Sequence, residues 1–429
     1  DVWKPSNIDG DKFGSQLKDG AVISAPGFKE AWKQTVESGW LQAVCKEEHG
    51  GMGLPLFFRN AMDEPAISCN MAISVVAALS LGVYDLIIKH ASQEIIDRYA
   101  IPVSSGEWCG TMCLTEPHCG TDLGLIKTKA TPQDDGSFLI TGTKIFITAG
   151  DHDLSDNIVH MVLAKLPDAP EGSRGISLFL VPKFLDDGDG LSSKINGTSV
   201  SGIEEKMGLH GSPTCVLNFD SSKGWLMGEA HTGMAKMFEM MNRERLATGM
   251  MGLGLGEIAY QNALAWSLER SQGRDLRGMK DLDAPADNIL VHPDVRRMLL
   301  KAKVNCEGTR ALGTWIGILL DEMNKGDAEC KENASALIAL LTPVMKAYST
   351  DIGCQSASLS IQVMGGAGYC TEYGVEQFYR DVRIAPIWEG TNGIQALDLV
   401  GRKVTQNFGK NLRHLLWPLL EFIEENREV

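Results

Sequence analysis

The chain has 429 residues, 44% hydrophobic and 22% charged, enough to bury sizeable cores, and at roughly 100–200 residues per domain it should divide into two to four domains. Its formal net charge of −15 excludes a nucleic-acid binder, because duplex affinity is built from many Lys and Arg contacts to phosphate. No dense run of Lys and Arg offers an anionic membrane a landing patch either.

Residues 1–110 are expected to form an N-terminal α-helical domain. Pro26-Gly27 opens one helix, and Ser92-Gln93-Glu94-Ile95 is a capped start with an acidic first turn. The longest apolar run, Met71 to Ile88, carries Ser74, Ser80, Gly82 and Asp85. Those groups are costly at mid-membrane, so the run predicts a buried helix and no membrane span.

Residues 111–230 change to strand grammar. Ser137 to Thr148 is rich in β-branched and aromatic residues and follows the turn Asp135-Gly136. His160–Lys165, Gly175–Pro182 and Val216–Asp220 are further strand-length apolar runs, separated by turn signals. From 231 to 405 the period is helical again, over 232–271, 292–324, 331–364 and 372–380, with a last segment at 389–425. Pro343 is expected to end or kink the third of these. Residues 406–429 are assigned to the start of a further helical region.

The ten cysteines are scattered through apolar runs, and Cys109, Cys113 and Cys119 lack the C-x2-C spacing of a zinc site. Reduced structural thiols, no metal, and a cytoplasmic or mitochondrial-matrix location are the expectation. Gly252-Leu253-Gly254-Leu255-Gly256 looks like a dinucleotide fingerprint, but no strand precedes it. The Rossmann reading is rejected on that ground.

The remaining motifs carry chemistry. Leu114-Thr115-Glu116-Pro117-His118-Cys119-Gly120-Thr121-Asp122 is a turn with short hydroxyls and accessible amides, able to bond a heterocycle or a phosphate. Phe146-Ile147-Thr148 ends a strand with an aromatic plane and a hydroxyl on one face. Gln362-Val363-Met364-Gly365-Gly366 closes a helix. Trp388-Glu389-Gly390-Thr391-Asn392 follows an apolar run, which would desolvate the carboxylate and raise it toward the range of a general base. Gly390 would let a ligand approach the backbone closely.

In this order, these segments resemble the acyl-CoA dehydrogenase family from Gly39 to Val404. The likeness extends to the branch that contains 3-methylmercaptopropionyl-CoA dehydrogenase and broader fatty acyl-CoA dehydrogenases and carries an extra C-terminal domain. It rests on Gly106–Thr115, Asn157–His160, Met240–Asn242 and His292–Arg297. The resemblance implies an α+β architecture: an N-terminal helical domain, a middle β-barrel-like domain and a C-terminal four-helix bundle. It implies FAD as cofactor, an acyl-CoA substrate oxidised to the trans-2-enoyl-CoA, an electron-transfer flavoprotein as acceptor, and a homodimer or homotetramer.

It also implies roles. Glu389 removes the α-proton while the β-hydride leaves for the flavin. Leu114, Thr115, Gly120, Thr121, Phe146, Ile147 and Thr148 line the flavin, with Thr121 also near the CoA. Arg270, Gln362, Gly365 and Gly366 reach the ADP half of a neighbouring subunit's flavin. Thr391 and Asn392 contact the flavin beyond the base, and Asn242, Arg245 and Gly390 lie toward the substrate. This chain departs from the family pattern at Phe146 for Trp, Trp388 for Tyr, Asn242 for Asp and Ser271-Gln272-Gly273 beside Arg270. Glu244 stands where other members carry their base, and is the alternative to Glu389 unless it is a surface partner of Arg243 or Lys236. Two other readings of the whole chain are a flavin oxidase or monooxygenase on this fold and a non-catalytic scaffold protein.

Overall fold

The computed structural model describes residues 2–186 and 190–427. Two compact units emerge: one from Asp1–Leu54 with Cys69–Glu244, the other from Pro55–Ser68 with Arg245–Val429.

In the first unit lie α1 (Trp3–Phe13), the hairpin β1 (Gln16–Lys18) and β2 (Ala21–Ile23), α2 (Phe28–Glu37), the part of α3 (Leu56–His90) from Cys69 onward, and α4 (Gln93–Ser105); the start of α3 belongs to the second unit. Helix α3 is longer than its apolar run because two helices join across Asn70, whose backbone leaves the helical region at φ −161°. Asn70 restarts the helix as a cap, its Oδ1 accepting from Ile73 N at 3.1 Å while its Nδ2 donates to Ser6 Oγ at 2.9 Å. Helix α3 is long and apolar enough to cross a membrane, yet 83% of its most apolar stretch is buried inside the protein. Ser92 caps α4 and Gly106, at φ 86°, ends it.

Strands β3 (Trp108–Cys113), β4 (Lys129–Pro132), β5 (Phe138–Thr148), β6 (Asn157–Lys165), β7 (Ile176–Pro182), β10 (Thr198–Ile203) and β11 (Thr214–Leu226) form a seven-stranded sheet, with β8 (Phe184–Asp186) and β9 (Leu191–Ile195) as a separate hairpin. The sheet runs β10-β11-β5-β4-β6-β3, and β7 pairs with both β6 and β11. That double pairing closes β11, β5, β4, β6 and β7 into a ring, which is the barrel-like character expected. Every residue of β7, and all of β6 except Lys165, is buried, so neither strand shows the alternation of a half-solvated sheet. Ile140, Ile147, Val162, Phe179, Val181, Cys215 and Phe219 fill the interior.

The second unit is helical: the C-terminal part of α5 (Gly233–Glu269), then α6 (Pro293–Lys325), α7 (Ala328–Met364), short α8 (Gly366–Tyr369), α9 (Val375–Val382), α10 (Asn392–Asp398) and α11 (Gln406–Glu425). Pro293 at its first turn and an Asp327 carboxylate accepting from Cys330 N at 2.9 Å start α6 and α7. Of the two expectations for Pro343, an end or a kink, the end does not occur: α7 runs through it. The flanking turns are buried among Leu340, Leu341 and Met345, and that packing outweighs one missing backbone bond. The glycines of the rejected fingerprint lie within α5. An added Cβ on Gly252 would lie 2.3 Å from Ser349 O, and one on Gly254 2.7 Å from Ile67 Cγ2. They are contact points that let α5 touch its neighbours' backbones. All ten cysteines are free thiols.

Candidate active site

In the first unit, β3 runs out into the loop at 114–122. Glu116 N donates to Cys119 O at 2.9 Å and Cys119 N to Glu116 O at 3.0 Å, folding Pro117-His118 into a tight turn. The Glu116 carboxylate points inward, 3% exposed. It accepts from Lys127 N at 2.7 Å, Thr128 N at 3.0 Å, Thr128 Oγ1 at 2.6 Å and Lys144 Nζ at 2.9 Å. Burial alone would push this acid up; the Lys144 ammonium, the Thr128 hydroxyl and the Lys127 amide outweigh it and hold the group below the usual carboxylate range. Lys144 also donates to Leu114 O at 2.9 Å. The loop is thus held from inside, Leu114 is buried, and Thr115, Gly120 and Thr121 are left half-buried or exposed on the outer side. A Cβ on Gly120 would meet only Thr115 Cγ2, at 3.7 Å, within contact range.

Glu116, His118 and Cys119 hold their ligand atoms within 4.8 Å of one another. The set is already occupied by other partners: His118 Nε2 bonds Leu125 O at 2.9 Å, and the carboxylate takes the donors above. The Lys144 ammonium supplies the positive charge that a metal would bring.

Beside the loop, β5 carries a bulge. Its pairing with β11 steps from Cys215↔Ile147 to Leu217↔Lys144, so Ile145 and Phe146 together oppose Val216. Phe146 adopts φ 57°, a left-handed conformation that a bulky side chain rarely takes, and its ring is 59% exposed. Ile145 N donates to Thr115 O at 2.9 Å, docking the bulge onto the loop. An outward aromatic plane on a strand docked to the loop of Thr115 and its open Gly120 fits a planar, polar-edged heterocycle such as a flavin, whereas Ile147 faces the core.

In the second unit, Glu389 stands on a turn with two successive left-handed residues, at φ 56° and φ 82° for Gly390. Asn392 N donates to Pro386 O at 3.0 Å across its base. From beneath, Arg245 Nε and Gln395 Nε2 each donate to Glu389 O at 3.1 Å, and Gln395 Nε2 also to Gly390 O at 3.1 Å. A Cβ on Gly390 would lie 2.9 Å from Gln395 Nε2 and displace that donor, so any other residue there is strained on φ and disturbs the turn's support. Left-handed backbone at a glutamate costs on the order of 1–3 kcal/mol and persists only where the surroundings over-determine it. Glu389 itself is half-buried, with the buried charges of Arg245 and Lys346 coupled to it electrostatically.

The other expected positions divide. Thr391 caps α10, its hydroxyl accepting from Ile394 N at 3.4 Å. The Asn392 carboxamide, expected to face a flavin, is taken up by α7: Oδ1 accepts from Lys346 Nζ at 2.9 Å, and Nδ2 donates to Ala347 O, Thr350 Oγ1 and Asp351 Oδ1 at 2.8–3.1 Å. Arg270 is exposed at the end of α5, 5.8 Å from the Trp266 ring. Trp266 packs against a cluster that includes Val363, Met364 and Val375, the part of the unit where exposed Gln362, Gly365 and Gly366 also lie. In the first unit Asn242 is half-buried and Glu244 is 4% exposed. Glu244 is therefore no surface partner: Arg243 pairs with Asp85, and the Glu244 carboxylate nests over Gly82, where a Cβ would lie 3.0 Å from its Oε1.

Sequence reasoning missed Lys144, Lys346 and Gln395, each 0–1% exposed. The available signal was charge out of place: Lys144 at an inward position of a strand, and Lys346 within Leu340–Ala347, an otherwise uncharged, mostly apolar stretch.

A barrel-like sheet with an exposed aromatic shelf, and a helical unit with a carboxylate on a strained turn, are the parts of a flavin-dependent dehydrogenase. Three family models match in order: the N-terminal domain of acyl-CoA dehydrogenase over residues 22–107, its middle domain over 111–222 and its C-terminal domain over 231–404. The chain belongs to the acyl-CoA dehydrogenase family of flavoproteins, and it is an oxidoreductase that dehydrogenates acyl-CoA thioesters. It is 43% identical over 409 residues to 3-methylmercaptopropionyl-CoA dehydrogenase of Ruegeria pomeroyi, covering 95% of this chain and 69% of that protein. It is 37% identical over 441 residues to a butyryl-CoA dehydrogenase of Syntrophomonas wolfei, covering 100% of this chain and 72% of that one. The solved butyryl-CoA dehydrogenase of Megasphaera elsdenii superposes with a TM-score of 0.74 at 23% identity over 93% of each chain, a likeness of fold.

Proposed function

We propose that the chain binds FAD on the shelf made by Phe146, Thr148, Thr115, Gly120 and Thr121, and uses Glu389 as the base that removes the α-proton of a short, unbranched acyl-CoA. The observation that carries the base is the left-handed turn at Glu389-Gly390, clamped from beneath by Arg245 and Gln395. Strain concentrated at one carboxylate, with its backbone carbonyl fixed by buried donors, is the mark of a positioned catalytic group. FAD, when bound, supplies the acceptor for the hydride that leaves the β carbon. The protein's share is to orient the thioester, to present Glu389 and to take up one proton there. Arg245, 5% exposed and bonded to the turn, sets the height of that carboxylate.

A short substrate is supported by the names of the relatives. A 3-methylmercaptopropionyl chain is a pentanoyl chain with one methylene replaced by a thioether sulfur, close in length and shape to butyryl. Electrons then pass to an electron-transfer flavoprotein, and the exposed Arg270, Gln362, Gly365 and Gly366 are assigned to a neighbouring subunit's flavin in a homodimer or homotetramer, in a cytoplasmic setting.

The test is a panel of acyl-CoAs from four to sixteen carbons plus 3-methylmercaptopropionyl-CoA, with a dye acceptor, on wild type, Glu389→Gln and Glu244→Gln. Glu389→Gln should lose at least a thousandfold in kcat and Glu244→Gln less than tenfold. The opposite pattern would move the base to Glu244, and turnover with oxygen alone at the dye rate would make the protein an oxidase.

A further inference from the structure

Lys346 is a charge that the reaction, as assigned above, does not use. It sits on α7 and is wholly buried. An ammonium taken out of water costs several kcal/mol unless its surroundings repay it. Its Nζ donates to Asn392 Oδ1 at 2.9 Å, and Asn392 is three residues beyond Glu389. The Asn392 amide closes the Glu389 turn on Pro386 O, and its side chain is anchored at Ala347, Thr350 and Asp351. One short chain of bonds therefore runs from the buried ammonium to the segment that holds the base.

We propose that Lys346 is a positioning residue for Glu389: through Asn392 it fixes the turn, and as a buried positive charge it keeps the Glu389 carboxylate ionised within a site that otherwise desolvates it. This rests on Glu389 being the base. The charges facing Lys346 are Glu389 on the turn, Arg245 on α5 and Asp351 on α7 itself. Burial brings the ammonium down to about 8, Glu389 and Asp351 oppose that fall, and Arg245 adds to it. Arg245 answers in turn to Glu389, Asp398 and Arg402. Glu389 is thus the largest charge opposing neutralisation of Lys346, and the coupling is mutual.

The test uses the FAD-loaded enzyme with butyryl-CoA and a dye acceptor from pH 6 to 9.5, comparing wild type with Lys346→Met, Lys346→Gln and Lys346→Arg. Release of α-deuterium from labelled butyryl-CoA without any acceptor gives a second readout, of proton removal alone. In Lys346→Met, kcat and α-deuterium release should each fall about tenfold or more at pH 7, with KM changed less than about threefold. The acid limb of the kcat profile should move up by about one pH unit, a tenfold change in proton affinity. Lys346→Arg should restore most of the rate, and Lys346→Gln substitutes for the Met variant if the latter does not fold. In a Glu389→Gln background, Lys346→Met should change residual α-deuterium release less than twofold. An unmoved acid limb in Lys346→Met or Lys346→Gln, with wild type active, overturns the role of Lys346 alone. A Glu389→Gln variant that keeps wild-type α-deuterium release overturns the assignment of the base, and this inference with it.

Discussion

Lys144 Nζ and Glu116 Oε1 lie 2.9 Å apart with 0% and 3% of their side chains exposed, joining strand β5 to the loop that presents Thr115 and Gly120. Removing one partner of such a pair strands the other charge in a dry interior. Glu116→Gln should therefore cost about 3–5 kcal/mol of unfolding free energy. The double variant Glu116→Gln/Lys144→Met should recover much of that loss. Urea unfolding of the wild type, Glu116→Gln, Lys144→Met and the double variant, followed by circular dichroism, checks both; additive losses would show that the two residues do not act as a pair.

Phe146 should separate flavin affinity from stability. Phe146→Ala removes the exposed ring and should weaken FAD binding about tenfold, the equivalent of about 1.4 kcal/mol, within the range of one aromatic contact. Phe146→Gly should weaken it equally while raising the apoprotein's stability by about 1 kcal/mol, since glycine relieves the left-handed backbone. Fluorescence titration of apoprotein with FAD, alongside thermal melts, measures the two effects. Unchanged affinity in Phe146→Ala would remove the ring from the flavin shelf.

Two buried histidines make the barrel acid-sensitive. His160 bonds Thr111 Oγ1 at 2.7 Å through Nδ1 and is pushed down to about 3 by burial, with Lys183 and His152 adding to the fall. Burial likewise takes His152 to about 4, against the pull of Asp151. Above about pH 6.5 both are neutral whether folded or not. Below it the unfolded chain gains protons that the fold refuses, so stability is lost progressively as pH falls toward 4. At pH 4.5 each histidine should account for roughly 2–3 kcal/mol of that loss. His160→Gln should flatten the decline of urea-unfolding free energy between pH 6.5 and 4.5 by about that amount; a decline as steep as the wild type's refutes it.

Gly252→Ala would place a methyl 2.3 Å from Ser349 O, a backbone atom that cannot swing away. Helices α5 and α7 must part, at a cost of at least 1–3 kcal/mol. Gly308→Ala is the control, since nothing lies within 4 Å of its added Cβ. It should gain about 0.5–1 kcal/mol from helix propensity. Thermal melting of the two variants should move in opposite directions.

Much of the architecture was legible in the sequence because periodicity is local. The strand run at 138–148 and the helices at 233–269 and 293–325 follow from residue spacing alone. Helix α7 was legible in extent but not in its passage through Pro343, where buried packing overrides a local rule. The bulge at Phe146 was invisible, because alternation assumes one register and β11 imposes another from about 70 residues away. Separations of 28 and 46 residues likewise hid the pairing of Lys144 with Glu116 and that of Lys346 with Asn392. Motif order pointed to Glu389, but not to the left-handed backbone beneath it or to the donors that hold it there.

The bulge in β5 has a bearing on how the chain tolerates insertions and deletions. One extra residue in β5 relative to β11 is what turns the Phe146 ring outward. Deleting a single residue between Lys144 and Ile147 would remove this bulge and leave the second register shift, between Phe219 and Ser222, in place, so β5 and β11 would still pair along their length. The aromatic shelf would vanish with the bulge. If Phe146 is the flavin shelf as proposed, such a deletant would pass a screen for folding and fail one for yellow colour, so the more regular sheet would be the one that selection rejects.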